Sequence, residues 1–157
     1  MMPRTRFYYR DPEAPRPAFY TLGVTALIER DGKLLLERRR DTGQWNPPGG
    51  KVELDESLEQ ALRKEVLEET GLTIAGYSLF GTFSDPSRIG QFENGAVIRF
   101  VVLAYVVRVD DFSTLCCSDE SLELRFFIRD ELADLDIVPT GRDIVEAYLT
   151  RKAPVLD

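Results

Sequence analysis

The sequence predicts an α/β domain: a mixed β-sheet with helices packed on it. Two observations lead there. Short runs rich in β-branched residues and segments of helical period follow one another in the order β-β-helix-β-β-β-helix. The 157 residues, 43% hydrophobic and 10% aromatic, are enough for one domain with a core of ordinary size.

Residues 1–20 read as an N-terminal arm, because the stretch RDPEAPRP at 10–17 carries three prolines and no periodic pattern. The domain proper is expected over 21–157. Leu22 to Ile28 is a β-branched strand, Asp31-Gly32 a two-residue hairpin turn, and Lys33 to Arg38 the return strand. A loop from Arg39 to Gly50 is dense in turn formers and holds the single Trp. Ser57 to Glu69 is the strongest helix: Ser57 and Gln60 make a capping box, and Gly71 stands where a terminating glycine belongs. Leu72 to Phe83 contains one or two strands. Gly95 to Val109 reads as a central strand and its neighbour, and Glu123 to Ile128 as a short strand. Asp130-Glu131-Leu132 begins a helical turn. Thr140 caps a last helix running from about Gly141 to Lys152.

Composition excludes several chemistries. With no histidine, the chain cannot form a Ser-His-Asp or Cys-His triad, an HExxH zinc site or an imidazole general base. Its two cysteines, Cys116 and Cys117, are adjacent and lack both disulfide-framework and metal-ligand spacing. The formal net charge of −7 argues against non-specific binding of nucleic acid or anionic membranes. No apolar run is long enough to span a bilayer, and the first residues lack a signal-peptide core, so a cytoplasmic location is expected. The charge is uneven: residues 51–69 hold seven acids against three bases, and residues 110–136 nine against two.

On a helical wheel, Leu58, Ala61, Leu62 and Val66 form the core-facing stripe of the 57–69 helix. Glu59 and Lys64 point away from it. Glu65 and Glu69, one turn apart, fall in or beside the stripe, and Glu68 lies at its edge. Carboxylates so placed repel one another. Either a hard divalent cation relieves them, or they form a salt-bridge cluster with Arg63, Lys64 or a distant arginine. Pro47-Pro48-Gly49-Gly50 ahead of the helix stiffens the approach, then offers two residues without Cβ that let backbone come close to a ligand.

Gly50, five residues, Glu56, seven residues, then Lys64-Glu65-Val66-Leu67-Glu68-Glu69-Thr70-Gly71-Leu72 resembles the Nudix box. One specified position departs, Lys64 standing for the usual arginine. The resemblance implies a Nudix-type α/β/α sandwich and hydrolysis of a diphosphate linkage with Mg²⁺ or Mn²⁺. It implies Glu65, Glu68, Glu69 and the Gly49 carbonyl as metal ligands, and Glu56 and Lys64 as their support. Lysine keeps the charge but loses bidentate geometry. A further glutamate late in the chain often serves such enzymes as ligand or base; Glu120 fits better than Glu123, and either Glu120 or Glu65 remains open as the base. Arg39 and Gly50 are candidates for the substrate phosphates. Phe7, Tyr8, Tyr9 and Tyr20 suit a nucleobase, the protein's own core or a partner subunit.

The expected substrate is a small nucleotide, ADP-ribose or a nucleotide sugar by preference, with a (d)NTP pyrophosphohydrolase or a non-catalytic nucleotide sensor as rivals. A homodimer is compatible with the sequence.

Overall fold

The computed structural model describes residues 5–150 and the backbone of Val155 and Leu156. The chain runs β1 (Arg6–Tyr8), β2 (Phe19–Arg30), β3 (Lys33–Arg39), β4 (Trp45–Asn46), β5 (Gly49–Lys51), α1 (Leu58–Thr70), β6 (Gly76–Phe83), β7 (Ile89–Gln91), β8 (Val97–Arg108), β9 (Ser121–Phe127), α2 (Arg129–Leu132), α3 (Pro139–Thr150) and β10 (Val155–Leu156).

The two longest strands, β2 and β8, pair in parallel from Phe19↔Ile98 to Ile28↔Val107. On its far edge β8 takes β6 and β7, both antiparallel. The far edge of β2 is shared: β5 covers Gly23 to Thr25, and β3 returns through the hairpin at Glu29 and Arg30. β3 in turn pairs with β4 and β9. The sheet is therefore mixed.

Both of its faces are covered, which explains why β2 reads as a continuous apolar run rather than an alternating one. Val24, Ala26 and Ile28 pack with Ala61, Leu62 and Val66 of α1. Leu27, Leu34 and Leu36 face the other way, toward Ile144, Val145 and Tyr148 of α3 and Leu132 of α2. Helices on both sides of a mixed sheet make the expected α/β/α sandwich.

Local chemistry sets the element ends. The 31–32 turn has positive φ at both residues, 52° and 76°, as a type I′ hairpin requires. Ser57 Oγ accepts from the Gln60 N–H at 3.1 Å while Gln60 Oε1 accepts from the Ser57 N–H at 2.8 Å. Gly71 ends α1 in the left-handed region at φ 73°.

The structure departs from the sequence reading in several places. Gly95 to Val109 is one strand, β8, because its edge partners β6 and β7 precede it in the chain. The 39–50 loop contains β4 and contributes Gly49 and Gly50 to β5. α3 begins at Pro139, a residue favoured in the first helical turn, so Thr140 lies inside the helix instead of capping it. The expected helix end at Lys152 lies outside the described residues. Within the N-terminal stretch, residues 6–8 pair with β7. Phe7 and Tyr8 are buried, and Phe7 meets the rings of Phe92 and Phe100 at 6.0 and 6.3 Å. Tyr20 is 66% exposed.

Two glycines with the same backbone sign should respond differently to alanine. Gly32 (φ 76°) has open space around its missing Cβ, whereas at Gly71 a Cβ would come within 2.3 Å of the Thr114 carbonyl oxygen. Gly32→Ala should cost about 1 kcal/mol in urea unfolding, and Gly71→Ala clearly more.

Candidate active site

The Gly-rich turn and the acidic helix fit together through missing atoms. β5 lies against β2, with the Ala26 N–H donating to the Pro48 carbonyl at 2.8 Å. A Cβ on Gly49 would meet the Val24 carbonyl oxygen at 2.2 Å. A Cβ on Gly50 would sit 2.3 Å from Cδ of Glu65, so that carboxyl group occupies the space a side chain would fill. The Gly49 N–H donates to Glu69 Oε2 at 3.0 Å. Backbone and helix are thereby joined at two consecutive glycines and two glutamates one turn apart.

Lys64 Nζ lies 2.8 Å from Glu56 Oε2 and 3.8 Å from Glu65 Oε1. Glu56 is itself held by the Glu53 N–H at 2.9 Å. Glu56 thus reaches the cluster through Lys64, and the ammonium makes one short contact and one long one. Glu68 is exposed, farther toward solvent than its wheel position suggests; Glu69 is 9% exposed.

Sequence reasoning missed Glu37. It lies on β3, is 4% exposed, and accepts a hydrogen bond from Ser121 Oγ at 2.7 Å. A glutamate directly after the apolar run Leu34-Leu35-Leu36 was the available signal, since a strand covered on both faces rarely buries an acid without purpose. Arg39 donates to both oxygens of Asp41, at 2.9 and 2.7 Å, and its guanidinium lies 4.9 Å from the Phe7 ring centre. Part of its fork is therefore engaged within the protein. Arg40 Nε donates to the Asp119 carbonyl at 2.9 Å.

Several of these groups line a cavity of about 510 Å³, whose walls include Glu37, Arg39, Arg40, Asp41, Glu69, Glu93, Asp119 and Glu120. A smaller recess of about 110 Å³ shares Arg39 and adds Gly49, Gly50, Phe7, Phe100, Asn46 and Thr140. Asn46 Oδ1 there is buried and has no hydrogen-bond partner among the described residues.

Burial raises the Glu69 pKa to about 9, helped by the neighbouring Glu37 charge and opposed by the Gly49 N–H. Burial likewise raises Glu65 to about 7, against Lys64 and with Glu68 and Glu120 adding to the rise. Glu37 is also pushed up, first by burial, with Ser121 and Arg39 pulling down. Such a set of crowded oxygen donors fits a hard divalent cation, which would relieve the repulsion. Among the described residues no three acidic or cysteine side chains already stand as a group able to hold an ion. Binding one would require the glutamates to turn.

The raised values have a consequence for stability. A carboxyl whose folded pKa exceeds its unfolded one favours folding below the unfolded value and loses that contribution as pH rises through the folded value. With divalent cations chelated, Tm should therefore fall between about pH 5 and about pH 9. Glu69→Gln should flatten the upper part of that fall, and added Mg²⁺ should raise Tm at the alkaline end. A pH-independent Tm in chelator would contradict the arrangement.

Comparison with known proteins matches this geometry. The NUDIX domain profile matches residues 19–148. The ADP-ribose pyrophosphatase of Methanocaldococcus jannaschii is 35% identical over 117 residues, 73% of this chain and 65% of that protein. The CTP pyrophosphohydrolase of Escherichia coli is 31% identical over 136 residues, 83% of this chain and 92% of that one. A MutT-like protein of Streptomyces ambofaciens is 40% identical, but the match spans only half of its length. The crystal structure of a MutT NUDIX hydrolase from Burkholderia pseudomallei superposes with a TM-score of 0.64 at 27% identity, over 80% of this chain and 95% of that one. The signature that begins at Gly50 and ends at Leu72 thus sits on the fold it implied, and the chain belongs to the Nudix hydrolase family.

Proposed function

We propose that the protein is a divalent-metal-dependent hydrolase that cleaves the diphosphate linkage of a nucleoside diphosphate derivative. The observation that carries this reading is the pairing of Glu65 and Glu69 with the two glycines of the preceding turn, beside a cavity large enough for a nucleotide that Glu69 helps to line.

Glu65, Glu68, Glu69 and the Gly49 carbonyl would hold Mg²⁺ or Mn²⁺. Bound there, the ion supplies positive charge against the diphosphate oxygens. Glu56 and Lys64 orient Glu65 from behind. Arg39, kept rigid by Asp41, and Gly50, which brings backbone close, serve the phosphate groups. Glu120, which also lines the cavity, takes the proton of the attacking water at a carboxylate oxygen, with Glu65 the alternative acceptor. The aromatic recess beside Phe7 and Phe100 suits the face of a base, and the free Asn46 oxygen suits an exocyclic amine.

Among substrates, ADP-ribose or a nucleotide sugar is preferred, in keeping with the M. jannaschii relative's name. The likeness to a CTP pyrophosphohydrolase along nearly its whole length, and the Asn46 oxygen, favour a (d)NTP as the second reading. A small-molecule partner, a cytoplasmic setting and a possible homodimer complete the proposal; among the described residues no helix is long and apolar enough to cross a membrane.

A panel of nucleotides with Mg²⁺, analysed by chromatography, separates the two readings: AMP released from ADP-ribose against pyrophosphate released from a triphosphate. Glu69→Gln should lower kcat by about 100-fold or more while the protein stays folded. Lys64→Arg should raise activity or metal affinity, because a fork can hold Glu56 and Glu65 at once. Near-normal turnover in Glu69→Gln would sink the metal assignment.

A further inference from the structure

β3 and β9 run antiparallel in simple register from Leu34↔Phe127 to Arg38↔Glu123, and then the register breaks. The next residue of β3, Arg39, faces Ser121, so Leu122 is the extra residue of a bulge and is 45% exposed. Bulges of this kind redirect the chain beside functional sites. Immediately beyond this one stands Glu120.

Three bonds fasten that turn to β3 and to Arg40 just beyond it. The Arg40 N–H donates to the Glu120 carbonyl at 3.1 Å, and Arg40 Nε to the Asp119 carbonyl at 2.9 Å. The third is between side chains: Ser121 Oγ to Glu37 Oε2 at 2.7 Å, with Ser121 3% and Glu37 4% exposed. Such a bond is shielded from water, and breaking it takes one of two side-chain partners from a buried carboxylate, the other being Glu69.

We propose that Glu37 and Ser121 are positioning residues, whose buried hydrogen bond locks the bulge and so holds Glu120 at the wall of the cavity. Glu37 acts through the acceptor it offers to Ser121. This role goes beyond the signature, which contains neither residue, and it rests on the reading of Glu120 as proton acceptor. A misplacement of a reacting group by about 1 Å can cost up to about 100-fold in rate.

The test uses the full chain, with the substrate and Mg²⁺ identified by the nucleotide panel, and amide hydrogen exchange on the same variants. Ser121→Ala and Glu37→Ala should each lower kcat by about 10-fold or more with little change in KM. Glu37→Gln, whose amide oxygen still accepts from Ser121, should recover most of the loss seen in Glu37→Ala. In a Glu120→Gln background, Ser121→Ala should cost nothing further. Amides 118–121 should exchange faster in Ser121→Ala and Glu37→Ala than in wild type, and Glu37→Gln should restore their protection; this readout needs no turnover.

Glu37→Gln as slow as Glu37→Ala would overturn the proposal, because charge and not the hydrogen bond would then matter. So would a Ser121→Ala loss that persists in the Glu120→Gln background, or unchanged exchange at 118–121. Glu120→Gln at wild-type speed overturns the reading of Glu120 and the latch together. A slow Glu120→Gln beside a normal Ser121→Ala overturns the latch alone.

Discussion

Crowding of carboxylates with too little water around them governs this molecule. Glu69 and Glu37 are nearly inaccessible, and Glu65 is half-buried beside them. Three acids so placed cannot all be charged at neutral pH without compensation. Each conspicuous feature nearby supplies part of that compensation. The Gly49 N–H faces Glu69, Ser121 faces Glu37, and Lys64 faces Glu65 from the side held by Glu56. Gly50 is required because the acid group of Glu65 fills the volume where a methyl would stand, and Gly49 because the Val24 carbonyl does. Remaining repulsion is what a cation would remove on the proposed reading.

The same crowding bears on how an acidic protein receives an anionic substrate. Acids outnumber bases most in two blocks, and the one at 51–69 is largely the site itself. Arg39 and Arg40 stand on the same cavity wall, the first tied to Asp41 and the second to the Asp119 backbone. Local sign at the cavity is thus set by a few placed groups and by any bound ion, more than by total charge.

Periodicity and turn chemistry made much of the fold legible. The 31–32 hairpin and the 57–71 helix obey local rules, and the structure follows them nearly residue for residue. The burial of Glu65 and Glu69 also followed from spacing alone. Glu68, by contrast, is exposed although the wheel put it at the edge of the stripe. What could not be read depends on non-local pairing. The strands β1, β5 and β7 are three residues each; β5 and β7 exist because β2 and β8 offer them an edge, and β1 because β7 offers its own. Glu37 and Ser121 are 84 positions apart and become a pair only once β3 and β9 align. Arg39 was legible as a cavity residue, but not its engagement with Asp41, which a three-residue window in a turn leaves undetermined.

The parallel pairing of β2 with β8 has a kinetic side. It joins Phe19 to Ile98 and runs for ten residue pairs, so its formation closes a loop containing the hairpin, the acidic helix and four further strands. Local elements inside that loop form on their own timescale. The central ladder must wait for a search across half the chain, since contacts of large sequence separation slow folding. The glycine turn pairs with β2 beside this ladder, while the latch joins β3 to β9 across a comparable stretch of chain, so the cavity too depends on contacts of large sequence separation. Until they form, the chain carries its acidic helix without the pocket that gives those charges a use.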